Sequence, residues 1–175
     1  MPVELSADLP APLVPLVWLV GEWAGAGVVG YPSLGQDQQF GQEVSFSHDG
    51  RPFLTYRSRT WLLDDQGSRV RPLASESGYW RPAGDPEDGG VAVEVLLAHP
   101  TGIVETYYGR AGGGRAELAT DVVARTPTSK EYNSARRLYG LVEGDLMWVM
   151  EMAAVGHPLT PHVSARLKRL PPPAS

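Results

Sequence analysis

The sequence predicts an all-β protein: a closed antiparallel up-and-down barrel of about ten strands, with one short helical segment ahead of the first. Three observations predict it. Short segments alternate apolar and polar residues at period two, as half-buried strands do, and long stripes at helical period are absent. Glycine and proline are frequent, 20 and 16 among 175 residues, and are spread along the chain as turns rather than pooled in a linker. The connections are too short for the crossover helices that a parallel sheet demands. A meander of this kind favours barrel closure, with a β-sandwich as the alternative.

Each element follows from local chemistry. Residues 11–20 (APLVPLVWLV) are apolar and form the one short helix or plug before the sheet. The first strand covers 22–31 and stops at Pro32, which cannot donate to a ladder. Further strands are predicted at 39–47, 53–63, 70–81, 91–98, 103–110, 116–124, 135–142, 146–152 and 162–170. The breaks carry turn residues: His48-Asp-Gly-Arg, Asp64-Asp-Gln-Gly, Gly84-Asp-Pro-Glu-Asp-Gly-Gly, Ala111-Gly-Gly-Gly and Glu143-Gly-Asp. In the third strand Leu54, Tyr56, Ser58, Thr60 and Leu62 share one face and Phe53, Thr55, Arg57, Arg59 and Trp61 the other. Neither face is cleanly polar, as expected of a barrel with a partly polar, ligand-holding interior.

Length argues for a single domain, residues 1–175. The formal charge of −5, from 15 basic and 20 acidic residues, supplies no broad cationic surface for nucleic acid or anionic lipid. The chain has no cysteine, which excludes disulfides, zinc–thiolate sites and iron–sulfur clusters and fits a reducing compartment. The N-terminus lacks a basic n-region, so no signal peptide is expected. The longest apolar run is too short to span a bilayer. The expected setting is the cytoplasm.

The motifs are read against context. Gly25-Ala-Gly27-Val-Val-Gly30 matches the G-x-G-x-x-G dinucleotide fingerprint, but Tyr31-Pro-Ser-Leu-Gly35 cannot open the helix that would receive a pyrophosphate. The same glycines fit a strand better: Gly21, Trp23, Gly25 and Gly27 fall on one face, where Trp23 plugs the barrel base and the glycines admit sharp coiling or the close approach of another backbone or a flat ligand. Glu76, Glu94, Glu105 and Glu151 are scattered, and solvated positions are expected for them. Leu146, Trp148, Met150 and Met152 share a face, as core or as a soft wall beside a flat ligand. Among four histidines, His48 lies in a turn, His99 at a strand end before Pro100, and His157 and His162 flank Pro158-Leu-Thr-Pro161. The prolines rule out a helical metal pair, whereas haem needs only one neutral imidazole.

Five stretches in order resemble the nitrobindins, haem-binding β-barrels related in fold to fatty-acid-binding proteins. They are GEWAGAG at 21–27 with Tyr31-Pro32; Gly50-Arg-Pro-Phe-Leu-Thr-Tyr56 with Ser58-Arg-Thr-Trp61; Glu76-Ser-Gly-Tyr-Trp-Arg81; His99-Pro-Thr-Gly-Ile-Val-Glu105; and Met152 through Lys168. The resemblance implies one haem b per chain, with His162 as the axial iron ligand and catalytic centre. It also implies haem contacts at Ser33, which follows Tyr-Pro where relatives often carry Thr, and at Lys130, Arg136 and Arg137, which would pair propionates at the barrel mouth or else lie on a solvated strand end. Two departures stand out: Ala74 where many relatives have histidine, and His99 where Gln is common. The implied activity is isomerisation of peroxynitrite to nitrate on the ferric iron, with binding of nitric oxide and, as an assembly the family allows, a homodimer. A non-enzymatic lipid or small-molecule carrier of the same barrel type, with an arginine pair holding a carboxylate, is the alternative. Strict alternation from His162 would turn Arg166 and Lys168 inward with it; a bulge near Pro161, or a strand beginning after His162, would resolve this.

Overall fold

Pro12 and Pro15 remove backbone donors from the first apolar segment, so Ala11–Leu19 winds as 3₁₀ turns rather than an α-helix. The computed structural model describes residues 7–174. Leu13, Pro15, Leu16, Trp18 and Leu19 of this segment are buried; it is a plug, apolar nearly all round, and it closes one end of a barrel. The Trp23 indole donates to the Leu19 carbonyl at 2.8 Å. Arg169 donates to the carbonyls of Val20 and Trp18 and lies over the Trp23 ring. The plug's last carbonyls, which have no partner of their own in a helix end, are thereby satisfied.

Among the described residues ten strands follow: β1 (Gly21–Val29), β2 (Gln38–Ser47), β3 (Leu54–Leu63), β4 (Arg69–Pro82), β5 (Gly90–His99), β6 (Ile103–Gly112), β7 (Arg115–Arg125), β8 (Tyr132–Val142), β9 (Asp145–Ala154) and β10 (Thr160–Arg169). Each pairs antiparallel with the next, and β1 pairs with β10, so the meander closes with no free edge. The expected barrel is the one observed, and the sandwich is excluded. No helix among the described residues is long and apolar enough to cross a membrane.

Strand parity turns side chains inward, and position along each strand sorts them into two ends. Toward the plug, Trp23, Phe46, Leu54, Trp80, Val93, Leu146 and Leu167 fill the barrel. Toward the other end the ladders thin. β4 pairs with β5 only from Ser77 onward, and β7 pairs with β8 only over Arg115–Ala119. That end is the mouth.

The glycines of β1 bring β10 close. A Cβ on Gly27 would overlap the Ser164 carbonyl and stand 2.8 Å from the Ala165 Cα; one on Gly25 would stand 2.9 Å from the Leu167 Cα. Gly27→Val is therefore expected to lower stability by about 1–3 kcal/mol, the usual range for overpacking. Gly140→Ala, with the nearest neighbour atom 4.0 Å away, should change little. Urea unfolding of the two variants checks the contrast; equal loss in both would show that β10 does not press on Gly27.

Two of the register shifts turn consecutive side chains into the interior. In β10 the register passes from Pro161 opposite Glu151 to Val163 opposite Met150, leaving His162 as the extra residue. Of the two ways to reconcile an inward His162 with outward Arg166 and Lys168, the bulge is realised: Ala165 and Leu167 are buried, and Ser164, Arg166 and Lys168 are exposed. In β4, Leu73 and Ala74 together oppose Thr60, whose hydroxyl accepts the Ala74 N–H at 3.0 Å. A bulge turns consecutive residues toward one side, and both pairs, Leu73–Ala74 and His162–Val163, line the same cavity.

Candidate functional site

The cavity inside the mouth has a volume of about 330 Å³. Its walls are mostly apolar: Val29, Phe40, Leu73, Ile103, Trp148, Met150, Met152 and Val163. The inward row of β9, Trp148–Met150–Met152, thus packs the interior and forms a soft wall at once. Among the polar groups in the lining, two matter most for chemistry: the His162 imidazole at the side and an ionic cluster at the floor.

The imidazole is His162. Its backbone carbonyl accepts the Gly30 N–H at 2.8 Å, and its Nδ1 lies 2.9 Å from the Gly30 carbonyl oxygen. A carbonyl only accepts, so Nδ1 carries the proton and Nε2 keeps its lone pair. This two-point clasp fixes ring and tautomer, as the partners of metal-bound histidines do. Burial pulls the imidazole below its ordinary value of 6.5, against the opposing pull of the Gly30 hydrogen bond, so the ring is neutral at pH 7. Tyr31 packs edge-on against it, with ring centroids 5.8 Å apart, and its hydroxyl ties into β9, accepting the Ala154 N–H at 2.8 Å. His157 also packs edge-on against Tyr31, with ring centroids 5.5 Å apart, and does not line the cavity. His48 lies in the β2–β3 turn, where its Nδ1 accepts the Gly50 N–H.

The floor corrects two expectations. Arg137 is at neither the mouth nor a solvated strand end: its side chain is 1% exposed and faces inward from β8. Glu76 and Glu105 are likewise not solvated. Glu76 takes both arms of the guanidinium, Arg137 Nη1 at 2.6 Å and Nη2 at 2.9 Å, and accepts the Tyr56 hydroxyl. Glu105, fully buried, accepts the Tyr132 hydroxyl at 2.6 Å and stands 2.6 Å from His99 Nε2 and 3.5 Å from Arg137 Nη2. His99 Nδ1 is 3.6 Å from Glu76. Tyr107 and Tyr139 complete the guanidinium's partners, at 3.1 and 3.2 Å.

Burial alone would raise the Glu76 carboxyl; the charge and hydrogen bonds of Arg137 outweigh it and hold the group down at about 2. Glu105 is lowered in the same way against its burial, by His99, Arg137 and Tyr132. Burial keeps the Tyr107 and Tyr139 phenols protonated. Glu76, His99 and Glu105 bring ligand-type atoms within 4.8 Å of one another, but Arg137 already supplies the positive charge that a cation would. Above the cluster, Gln42 links Ser58 to the Trp148 indole.

Of the other expected contacts, Ser33 lies exposed in the short 3₁₀ turn Pro32–Leu34 beside Leu34, which lines the cavity. Lys130 is exposed in the loop before β8, two residues from the cavity-lining Tyr132. Neither Ser33 nor Lys130 lines the cavity itself. Arg136 is exposed, on the outward parity of β8. Ala74 does line the cavity, as does Arg71, an exposed cation at the rim that the sequence reading missed. Gly21, Trp23, Gly25 and Gly27 belong to the plug and the β1–β10 seam, away from the cavity.

The residues fit a haem. One neutral imidazole with a free Nε2 lines a mostly apolar cavity inside the barrel mouth.

Comparison with known proteins agrees. Residues 12–169 match the family described as THAP4-like, heme-binding beta-barrel domain. The chain is similar to a ferric nitrobindin-like protein of Kineococcus radiotolerans, 54% identical over 97% of this chain and 99% of that one. It is similar to a protein named peroxynitrite isomerase from a Nocardioides species, 48% identical over 97% and 99%. The crystal structure of Rv2717c from M. tuberculosis superposes with a TM-score of 0.79 at 36% identity, covering 94% of this chain and 100% of that one.

Proposed function

The chain belongs to the THAP4-like, haem-binding β-barrel family, and on that premise we propose that it holds one haem b through His162 and isomerises peroxynitrite to nitrate. The observation that carries this reading is the clasp of His162 on Gly30, which presents an unprotonated Nε2 to an apolar cavity. The whole chain, 1–175, acts as one haem-binding domain. Bound haem supplies a ferric Lewis acid with a position open to a small anion.

The chain's own residues hold, orient and dry the site. Gly30 and Tyr31 fix the His162 ring. Phe40, Leu73, Trp148 and Met150 would exclude water from a group held by that ring. Ala74, where a histidine would add a second imidazole, leaves that part of the wall to supply shape and no proton. Ser33, Lys130 and the cavity-lining Arg71 are the groups we assign to the propionate side, near the mouth. Arg137 is not free for that role. Nitric oxide is the second small ligand we assign to the cavity. The assembly proposed is a homodimer, for which the exposed pair Tyr79–Leu96 and nearby Val122 on the outer face offer apolar contact. The proposed setting is the cytoplasm, which the cysteine-free composition suits.

Stopped-flow decay of peroxynitrite tests the reading. Haem-loaded protein should accelerate decay, divert product to nitrate and suppress nitration of an added phenol. Ala74→His should change ligand affinity at the loaded site more than it changes the rate. Decay no faster than with His162→Ala protein would end the isomerase reading and leave a haem carrier.

The carrier alternative loses its recognition group here. An arginine that takes a ligand carboxylate must be free to do so, and Arg137 already holds Glu76 with both arms.

A further inference from the structure

The floor of the cavity is built like a carboxylate-binding site that is already filled. Arg137 projects into an apolar barrel, and a guanidinium there takes a carboxylate through two parallel N–H···O bonds. Two phenols, Tyr107 and Tyr139, steady the fork. The carboxylate it holds belongs to the chain itself, from β4 across the barrel. Glu76 lines the same cavity as Arg137 and sits where the head group of an acidic ligand would arrive.

We propose that Glu76 is a specificity-determining residue: as an internal carboxylate occupying the fork of Arg137, it bars acidic amphipathic ligands, such as medium-chain fatty acids, from a barrel otherwise shaped to take them. An incoming carboxylate must either displace Glu76 into an apolar wall or sit beside it unpaired, and both are costly. Among the described residues no second guanidinium or ammonium lies at the floor. His99 stands between Glu76 and Glu105, 3.6 and 2.6 Å from their oxygens. A neutral chain meets no such penalty. This selection goes beyond the haem reading and does not depend on it.

The test uses the full chain prepared without hemin, with decanoate and 1-decanol as probes, by isothermal titration calorimetry. The wild type should bind 1-decanol at least tenfold more tightly than decanoate. Glu76→Gln, which removes the internal charge and keeps the shape, should reverse that order and bind decanoate at least tenfold more tightly than the wild type does. Replacing Arg137 as well, in Glu76→Gln/Arg137→Met, should abolish the gain. The wild-type comparison stands alone if Glu76→Gln does not fold: a wild type that prefers decanoate overturns the proposal. So does a folded Glu76→Gln protein whose order of preference is unchanged. A parallel hemin titration separates the two readings, because loss of hemin binding would sink the haem assignment and leave the decanoate result intact.

Discussion

Replacing His162 by alanine is expected to abolish stable hemin binding, while His157→Ala and His48→Ala leave it nearly intact. The expectation rests on the Gly30 clasp. With Nδ1–H donated to a backbone carbonyl, Nε2 is a fixed, unprotonated donor atom in the cavity wall, and the other cavity-lining histidine, His99, is engaged by two carboxylates. Removing the imidazole removes the only iron–protein bond we assign, whereas the apolar contacts that remain are shared along the whole wall. Transfer of hemin to an acceptor protein, followed by the Soret band, should be faster by about a hundredfold or more, the scale set even by losing a metal ligand's hydrogen-bond partner. Burial holds the His162 imidazole below 6.5, so protons do not compete for Nε2 at neutral pH. Hemin should stay bound through pH 7 and be released only as the solution falls well under 6.5. Retention by the His162 variant, with loss in the His99→Gln protein instead, would move the ligand to the floor.

The barrel was legible in the sequence because turn chemistry and period-two alternation recur ten times without a conflicting helical signal. The ends of strands were read within a few residues. The bulge at His162 was legible as a contradiction, since no unbroken strand could turn the histidine inward and keep Arg166 and Lys168 outward. What hid the floor was a composition argument. Carboxylates are mostly solvated, and that prior was applied to Glu76 and Glu105 singly. Parity says otherwise: Glu105 shares its face with Tyr107 and Ala111, Glu76 with Gly78 and Trp80, and Arg137 with Ala135 and Tyr139. Charged residues of both signs on inward parity, each flanked by core residues, are the signature of a buried ion cluster. Sequence alone does not say which strands face each other across the barrel, so the contact of Glu76 on β4 with Arg137 on β8 came only with closure. Arg71 was missed for a related reason. It lies just before the Leu73–Ala74 bulge, where alternation no longer reports the face.

Arg137→Met should destabilise the protein by about 3–5 kcal/mol, the range seen when one partner of a buried ion pair is removed and the other stays charged. Methionine keeps most of the volume, so the loss reports charge rather than a cavity. Two carboxylates would remain with no guanidinium between them. Acid then acts with opposite sign on the two proteins. In the wild type the Glu76 carboxyl is depressed to about 2, below its unfolded value, so its contribution is present above pH 4.5 and is lost as the pH falls toward 2. In Arg137→Met the depressing charge is gone and burial dominates. The folded-state carboxyl then lies above its unfolded value, and the penalty present at pH 7 is relieved as the pH falls through it. Urea unfolding at pH 7 and pH 5 should show the variant gaining stability on acidification while the wild type is unchanged or loses some. Adding Glu76→Met to Arg137→Met should recover part of the loss at pH 7, since the uncompensated charge leaves with it, and a double variant no more stable than the single one would mean that Arg137 packs rather than pairs.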